Sequence, residues 1–137
     1  MDSTETQTVP GTPEGLRDAM AALESWTTRL AVTADVRHRV LTALDEVLSN
    51  VVRHGFKGQT GELTITRSRL GGALSVEVAD TAPAFNPLLV APPDVGLPLE
   101  SRRPGGLGVA LVRALSDDVQ YAHRLGRNVL TLSWRNK

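Results

Sequence analysis

One helical pattern constrains the fold of this chain more than any other feature. Between residues 34 and 54 apolar side chains recur with the 3.6-residue period of an α-helix. The apolar side consists of Val40, Leu41, Leu44, Val47, Leu48, Val51 and Val52. The opposite side carries Arg39, Thr42, Glu46, Ser49, Asn50 and Arg53. We expect a helix from near Thr33 to His54, ended by Gly55, with its apolar side buried and its polar side available for chemistry.

The layer that covers this helix is predicted by alternating segments. Residues 63–70 and 74–78 alternate apolar and polar side chains around Gly71-Gly72, which predicts a β-hairpin that brings Asp80 to a strand end. An edge strand within residues 4–9 and a helix to about Ala31 precede the main helix, and strands at 119–124 and 129–134 end the chain. The order is not a βαβ series. We predict a two-layer α+β sandwich, with a mixed, mostly antiparallel sheet and helices on one face.

Length and composition exclude several classes of function. The 137 residues match one domain, so we predict a single domain over 1–137. The absence of Cys excludes disulfides, thiolate metal sites and a cysteine nucleophile, and it fits a cytoplasmic protein. The 15 basic and 15 acidic residues cancel, and aromatic residues make up 4% of the chain. Because the net charge is zero and aromatic residues are few, we expect no direct contact with nucleic acid. Because the sequence has neither a signal peptide nor a spanning segment, we expect no contact with a membrane.

A proline-rich segment separates the hairpin from the last helix. Residues 81–104 show no periodicity and contain six of the eight prolines, namely Pro83, Pro87, Pro92, Pro93, Pro98 and Pro104. Long irregular segments inside a domain are often functional, so we predict a lid at about 81–104.

Three polar features around this segment can carry chemistry. Glu46 and Asn50 are four apart on one helix side, where a carboxylate can deprotonate a nucleophile and an amide oxygen can bind Mg²⁺. Asp80 at a strand end can accept a hydrogen bond from a ligand amino group. Each also has a plain explanation, since solvated helix pairs and turn-forming Asp residues are common.

The third feature is a glycine run before an apolar helix. Gly105, Gly106 and Gly108 precede the helical segment 109–115. Bare backbone amides and a helix N-terminus together attract phosphate, although an ordinary loop-to-helix junction has the same composition. The lysine and hydroxyl residue of a P-loop are absent from the run.

The order of these features resembles the GHKL ATP-binding fold shared by gyrase and histidine kinases, over about Thr33 to Trp134. Residues 43–55, Ala-Leu-Asp-Glu-Val-Leu-Ser-Asn-Val-Val-Arg-His-Gly, resemble the N box of the small anti-sigma-factor serine kinases. Residues 105–112, Gly-Gly-Leu-Gly-Val-Ala-Leu-Val, resemble their second glycine box.

The resemblance implies a role for each matching residue. Glu46 would be the general base that activates a hydroxyl or water, and Asn50 would coordinate the Mg²⁺ bridging the ATP phosphates. Asp80 would read the adenine amino group. The phosphates would be bound by the amides around Gly105, Gly106, Leu107 and Gly108, with Arg53 helping to neutralise them.

The sequence leaves two parts of the implied site undetermined, the arginine at the end of the lid and the first glycine box. Arg103 at the end of the lid is a further phosphate candidate, although nothing in the sequence prefers it to Arg102. The family's first glycine box reads Asp-x-Gly-x-Gly, whereas this chain has Ala82 and Ala84 at the glycine positions. If Ala82, a candidate nucleotide contact, had to adopt positive φ, its Cβ would cost about 1 kcal/mol. Pro83 between the alanines also lacks a backbone donor.

The resemblance thus implies a cytoplasmic serine/threonine protein kinase that uses ATP and Mg²⁺, holds a sigma factor inactive and phosphorylates its antagonist. The alternative is a non-catalytic partner-binding module of the same fold with weakened or lost ATP binding. A plain small ATPase ranks third. Formation of a homodimer through the sheet is a family expectation.

Overall fold

A single five-stranded sheet with helices on one face forms the fold. The computed structural model describes residues 2–55, 61–84 and 106–135. Its strands are β1 (Ser3–Pro10), β2 (Glu62–Leu70), β3 (Ala73–Asp80), β4 (Asp118–Arg124) and β5 (Arg127–Arg135). Its helices are α1 (Pro13–Arg29), α2 (Ala34–Asn50) and α3 (Gly106–Leu115), and a π-helical turn (Val51–Gly55) follows α2.

The strand order is β1-β2-β3-β5-β4, and each of these neighbouring pairs is antiparallel. The predicted two-layer α+β class is confirmed, and no parallel pair occurs among the described strands. The central strand is β3, between β2 and β5. Its last residue, Asp80, is therefore flanked by Leu63 on one side and Asn128 on the other.

The core lies between the sheet and the helices. Along the central strands every second side chain is buried, as Leu74, Val76 and Val78 are in β3. The same alternation gives the opposite face a polar surface, where threonines of β1 and β2 form hydrogen-bonded pairs such as Thr8 with Thr64 (3.1 Å between hydroxyl oxygens). Trp26 and Trp134 are buried in the core.

The helix starts follow local capping chemistry. The Thr12 and Thr33 hydroxyls accept from the amides of Gly15 (3.1 Å) and Val36 (3.2 Å), which satisfies one free donor at the start of α1 and of α2. None of the helices in the described ranges is long and apolar enough to cross a membrane.

Two helix boundaries differ from the sequence prediction. The α-helical part of α2 ends at Asn50, and the chain then winds as a π-helical turn to Gly55. The helix therefore extends as far as predicted, but its last five residues are wound as a π-helix, which side-chain periodicity over one turn does not distinguish from an α-helix. At the other boundary, α3 begins at Gly106 and not at Val109. Glycines carry no apolar signal, so the pattern reveals that helix only after its first turn.

Candidate functional site

The polar side of α2 presents a carboxylate and an amide one turn apart. Glu46 and Asn50 are both half-buried, whereas Asp45 beside them is exposed. Asp45 accepts a hydrogen bond from the Ser49 hydroxyl (3.4 Å). Within residues 2–55, 61–84 and 106–135, neither the Glu46 nor the Asn50 side chain has a hydrogen bond or ion pair. Both groups are therefore available to a ligand.

The π-helical turn begins directly after Asn50. Because a π-helix pairs each residue with the fifth one along the chain, side chains after Asn50 depart from the spacing of α2. Arg53 lies in this turn, exposed, with its Nε donating to the Ser49 carbonyl (3.3 Å).

Asp80 is the buried carboxylate of the site. Its side chain lies in phase with the inward residues of β3, on the face that the helices cover, and the residue is 6% exposed. One oxygen, Oδ1, accepts from Nδ2 of Asn128 (2.9 Å) and from the amide of Ala82 (3.0 Å). The other, Oδ2, has no hydrogen bond within the described residues, yet it is not among their buried unpartnered atoms. Asp80 can therefore offer one acceptor to a ligand.

Burial sets the protonation behaviour of this group. Desolvation raises the pKa of Asp80 above its usual 3.8, since a charged carboxylate is disfavoured away from water. The hydrogen bonds from Asn128 and Ala82, and the charge of His123, partly oppose the shift. A raised pKa at a strand end on a ligand-accessible carboxyl is typical of functional positions.

Sequence reasoning missed two residues that hold Asp80 in place. Asn128, opposite Asp80 in β5, is 6% exposed, and its Nδ2 also donates to the carbonyls of Ala82 and Pro83 (3.1 Å each). The Tyr121 hydroxyl donates to Asn128 Oδ1. A signal was present in the sequence: Asn128 is the polar member of an inward series that continues with Leu130, Leu132 and Trp134.

The altered glycine box adopts an unstrained backbone. The non-glycine residues with positive φ in the described ranges are Ala31 and Leu125, so Ala82 and Ala84 avoid the left-handed region. The cost considered for alanine at positive φ is therefore absent in this conformation. Ala82 is buried, and the Thr81 hydroxyl accepts from the amide of Glu62 (3.2 Å), which ties the segment to β2.

The phosphate candidates are described only in part. Gly106, Leu107 and Gly108 form the first turn of α3, where backbone amides lack partners within the helix. This helix packs beside α2. Arg103, its alternative Arg102, Gly105 and the lid from residue 85 lie outside the described residues.

Comparison with known proteins shows the family of the chain. Residues 9–134 match the model of the family described as histidine kinase-like ATPase domain. A serine-protein kinase RsbW of Bacillus mycoides is 33% identical over 106 residues, covering 74% of this chain and 66% of that protein. The serine/threonine-protein kinase BtrW of Bordetella bronchiseptica is 30% identical over 131 residues, covering 95% and 92%.

A solved structure supports the fold alone. The RsbU and RsbW domains of Rv1364c from Mycobacterium tuberculosis superpose with a TM-score of 0.71 at 19% identity, over 97% of this chain and 32% of that one.

The chain spans 58% of a second RsbW serine-protein kinase, from Bacillus cereus, to which it is 35% identical. The match over residues 9–134 covers most of the sequence. The chain belongs to the histidine kinase-like ATPase domain family.

Proposed function

We propose that this chain is an ATP-binding serine/threonine protein kinase of the anti-sigma-factor type. The observation that carries the proposal is Asp80, a buried carboxylate with one oxygen held by the protein and the other left for a ligand. The relatives named as serine-protein kinases support the reaction class.

The base would bind at the end of β3. Asp80 Oδ2 would accept a hydrogen bond from the amino group of adenine, and an ionised carboxylate is a strong acceptor for it. Guanine carries a carbonyl oxygen at the corresponding position, which would meet the carboxylate as a second acceptor. The site should therefore prefer ATP to GTP.

The phosphates and their metal would lie between α2 and α3. The free amides of Gly106 to Gly108 would bind phosphate oxygens at the start of α3. The Asn50 side-chain oxygen would hold Mg²⁺, which supplies charge neutralisation for the transferred phosphoryl group. Mg²⁺ commonly takes one or two protein ligands together with substrate phosphates, so a single amide oxygen fits this use. Within the described residues no group of three or more acidic or histidine side chains is placed to hold a metal.

Glu46 would be the general base. Its carboxylate, half-buried and without a protein partner in the described ranges, would take the proton of a serine or threonine hydroxyl as that oxygen attacks the γ-phosphorus. The bond from the γ-phosphorus to the bridging oxygen breaks, and ADP leaves.

The proposed partners are a sigma factor, held inactive, and an antagonist protein that receives the phosphoryl group. This assignment, with a cytoplasmic location and a homodimer formed through the sheet, rests on the resemblance of the N box and the second glycine box. The alternative, a partner-binding module without ATP, is suggested by alanine at both positions of the first glycine box. The ordinary φ of Ala82 and Ala84 favours the kinase.

Calorimetric titration with ATP and Mg²⁺ tests the proposal first, and no binding at millimolar ATP would overturn it. A second test compares Glu46→Gln with Asp45→Asn, an exposed carboxylate one residue away. We expect Glu46→Gln to lower the rate of ADP formation by about 10²- to 10⁴-fold with ATP affinity retained. Asp45→Asn should change neither quantity. Equal rates for the two variants would remove Glu46 as the base.

A further inference from the structure

The side chain of Asn128 joins the base-reading carboxylate to the altered glycine box. Its Nδ2 lies 2.9 Å from Asp80 Oδ1, 3.1 Å from the Ala82 carbonyl and 3.1 Å from the Pro83 carbonyl. One amide nitrogen with two hydrogens therefore serves three acceptors, so at least one hydrogen is shared. The contacts span 45 to 48 residues of sequence between β5 and the end of β3.

These partners fix the orientation of the amide. A flipped Asn128 would place its oxygen against one carboxylate oxygen and two carbonyls, all of them acceptors. In the observed orientation Oδ1 receives the Tyr121 hydroxyl proton. The three acceptors around Nδ2 select this orientation, because a tyrosine hydroxyl can donate or accept, and Tyr121 holds the other end of the amide.

The consequence for Asp80 is that the plane of its carboxylate is restrained, with one oxygen bound by the protein. Oδ1 is occupied by Asn128 Nδ2 and the Ala82 amide, and these two donors prevent rotation of the carboxylate. Oδ2 is the oxygen left to a ligand. Because the same amide nitrogen holds two carbonyls of the box, the backbone beside the base is fixed together with the carboxylate.

We propose that Asn128, held by Tyr121, is a positioning residue that fixes the plane of the Asp80 carboxylate, so that one acceptor faces the nucleotide in a defined direction and sets the preference for adenine over guanine. The proposal rests on the proposed function, in which Asp80 reads the base. A purely structural Asn128 would support the fold and leave base preference unchanged. The decisive quantity is therefore the ratio of ATP to GTP affinity and not affinity or stability alone.

The test is calorimetric titration of the full chain with ATP and with GTP in the presence of Mg²⁺. The variants are Asn128→Ala, Asn128→Asp and Tyr121→Phe. The control is Thr131→Ala, a half-buried residue of the same strand that lies on the opposite face of the sheet. Tyr121→Phe keeps the ring, so it tests the proposal even if both variants at Asn128 fail to fold.

We expect Asn128→Ala to lower ATP affinity about tenfold with GTP affinity changed less than twofold, since one charged hydrogen bond to Asp80 is lost. Asn128→Asp should lose more, because an acceptor replaces the donor. Tyr121→Phe should lower the ATP to GTP ratio about threefold, and Thr131→Ala should keep the wild-type ratio. An unchanged ratio in the folded variants would overturn this inference while the proposed function stands. Absence of ATP binding in the wild type would overturn both.

Discussion

Replacing Asp80 by Asn should stabilise the protein at neutral pH and weaken the proposed binding of ATP. The two side chains have the same shape, and an amide oxygen can accept from Asn128 Nδ2 and the Ala82 amide as the carboxylate Oδ1 does. The substitution therefore changes the charge and converts the free acceptor Oδ2 into a donor. These two changes act on different measurements and have opposite signs.

The stability effect follows from the raised pKa. Because the pKa of Asp80 is higher in the folded protein than its usual 3.8, the folded state binds more protons than the unfolded state between these values. The unfolding free energy of the wild type thus falls as pH rises through this interval, and the loss persists above it. The side chain of the Asp80→Asn variant does not titrate, so its unfolding free energy does not fall in this interval. The advantage of the variant should be absent below the usual pKa and complete at neutral pH.

The magnitudes come from the contacts. Desolvating an ionised carboxylate costs more than desolvating a neutral amide of the same shape, and the hydrogen bonds to Oδ1 offset part of that difference, so we expect Asp80→Asn to be more stable by about 1 kcal/mol at pH 7. A hydrogen bond to a charged acceptor is worth about 1.5–3 kcal/mol, which corresponds to a loss of roughly 10- to 150-fold in ATP affinity. GTP should bind the variant better than it binds the wild type, since the new donor faces the guanine carbonyl.

Urea unfolding between pH 4 and pH 8 measures the first effect, and calorimetry with ATP and GTP measures the second. An advantage of about 1 kcal/mol moves the urea midpoint by roughly 0.5 M. Asp18→Asn, at an exposed carboxyl of α1, is the matched control and should show little change. A variant at Asp80 that is less stable at pH 7, or whose stability difference does not vary with pH, would refute the electrostatic reasoning.

Three further substitutions test backbone geometry by urea unfolding. Gly15→Ala should lower the unfolding free energy by about 2 kcal/mol or more, because its Cβ would lie 1.9 Å from a backbone oxygen at the end of β1. Gly72→Ala, with open space around it, should not, and equal stabilities would contradict the clash. Leu125→Asn should raise the unfolding free energy by about 1 kcal/mol, because Leu125 is fully exposed at φ +54, where asparagine is tolerated better than leucine. The same change at Leu70, which is exposed but has no positive φ, should not raise it. Thr33→Ala should cost about 1 kcal/mol through loss of the α2 cap, and an unchanged midpoint would exclude that role.

Much of the architecture was predictable from local pattern. Apolar positions such as Leu44 and Leu48 define the buried side of α2 because a helix repeats every 3.6 residues, whatever packs against it. The β2–β3 hairpin follows from alternation around Gly71, which adopts φ +60 in the turn. The half-buried polar pair on α2 and the strand-end Asp80 lie where these patterns place them.

The interior of the candidate site was decided by tertiary structure. Asn128 and Tyr121 reach the end of β3 only because β5 pairs with β3 and β4 pairs with β5, so residues far apart in sequence meet. The alternation along β5 predicts that Asn128 faces inward, but it does not predict which residues Asn128 contacts. The sequence likewise did not determine the φ angle of Ala82, because the same segment can adopt several backbone conformations until neighbouring strands hold it.

The sequence alone therefore determined the elements, their buried sides and the family resemblance, because each depends on residues near one another in the chain. Strand order, the π-helical turn after Asn50 and the hydrogen bonds that Asn128 and Ala82 donate to Asp80 depend on which elements come together in space. Burial then gives Asp80 its raised pKa, and the pairing with Asn128 leaves one carboxylate oxygen for a ligand. These properties arise from desolvation and cross-strand hydrogen bonding, which exist only in the folded protein.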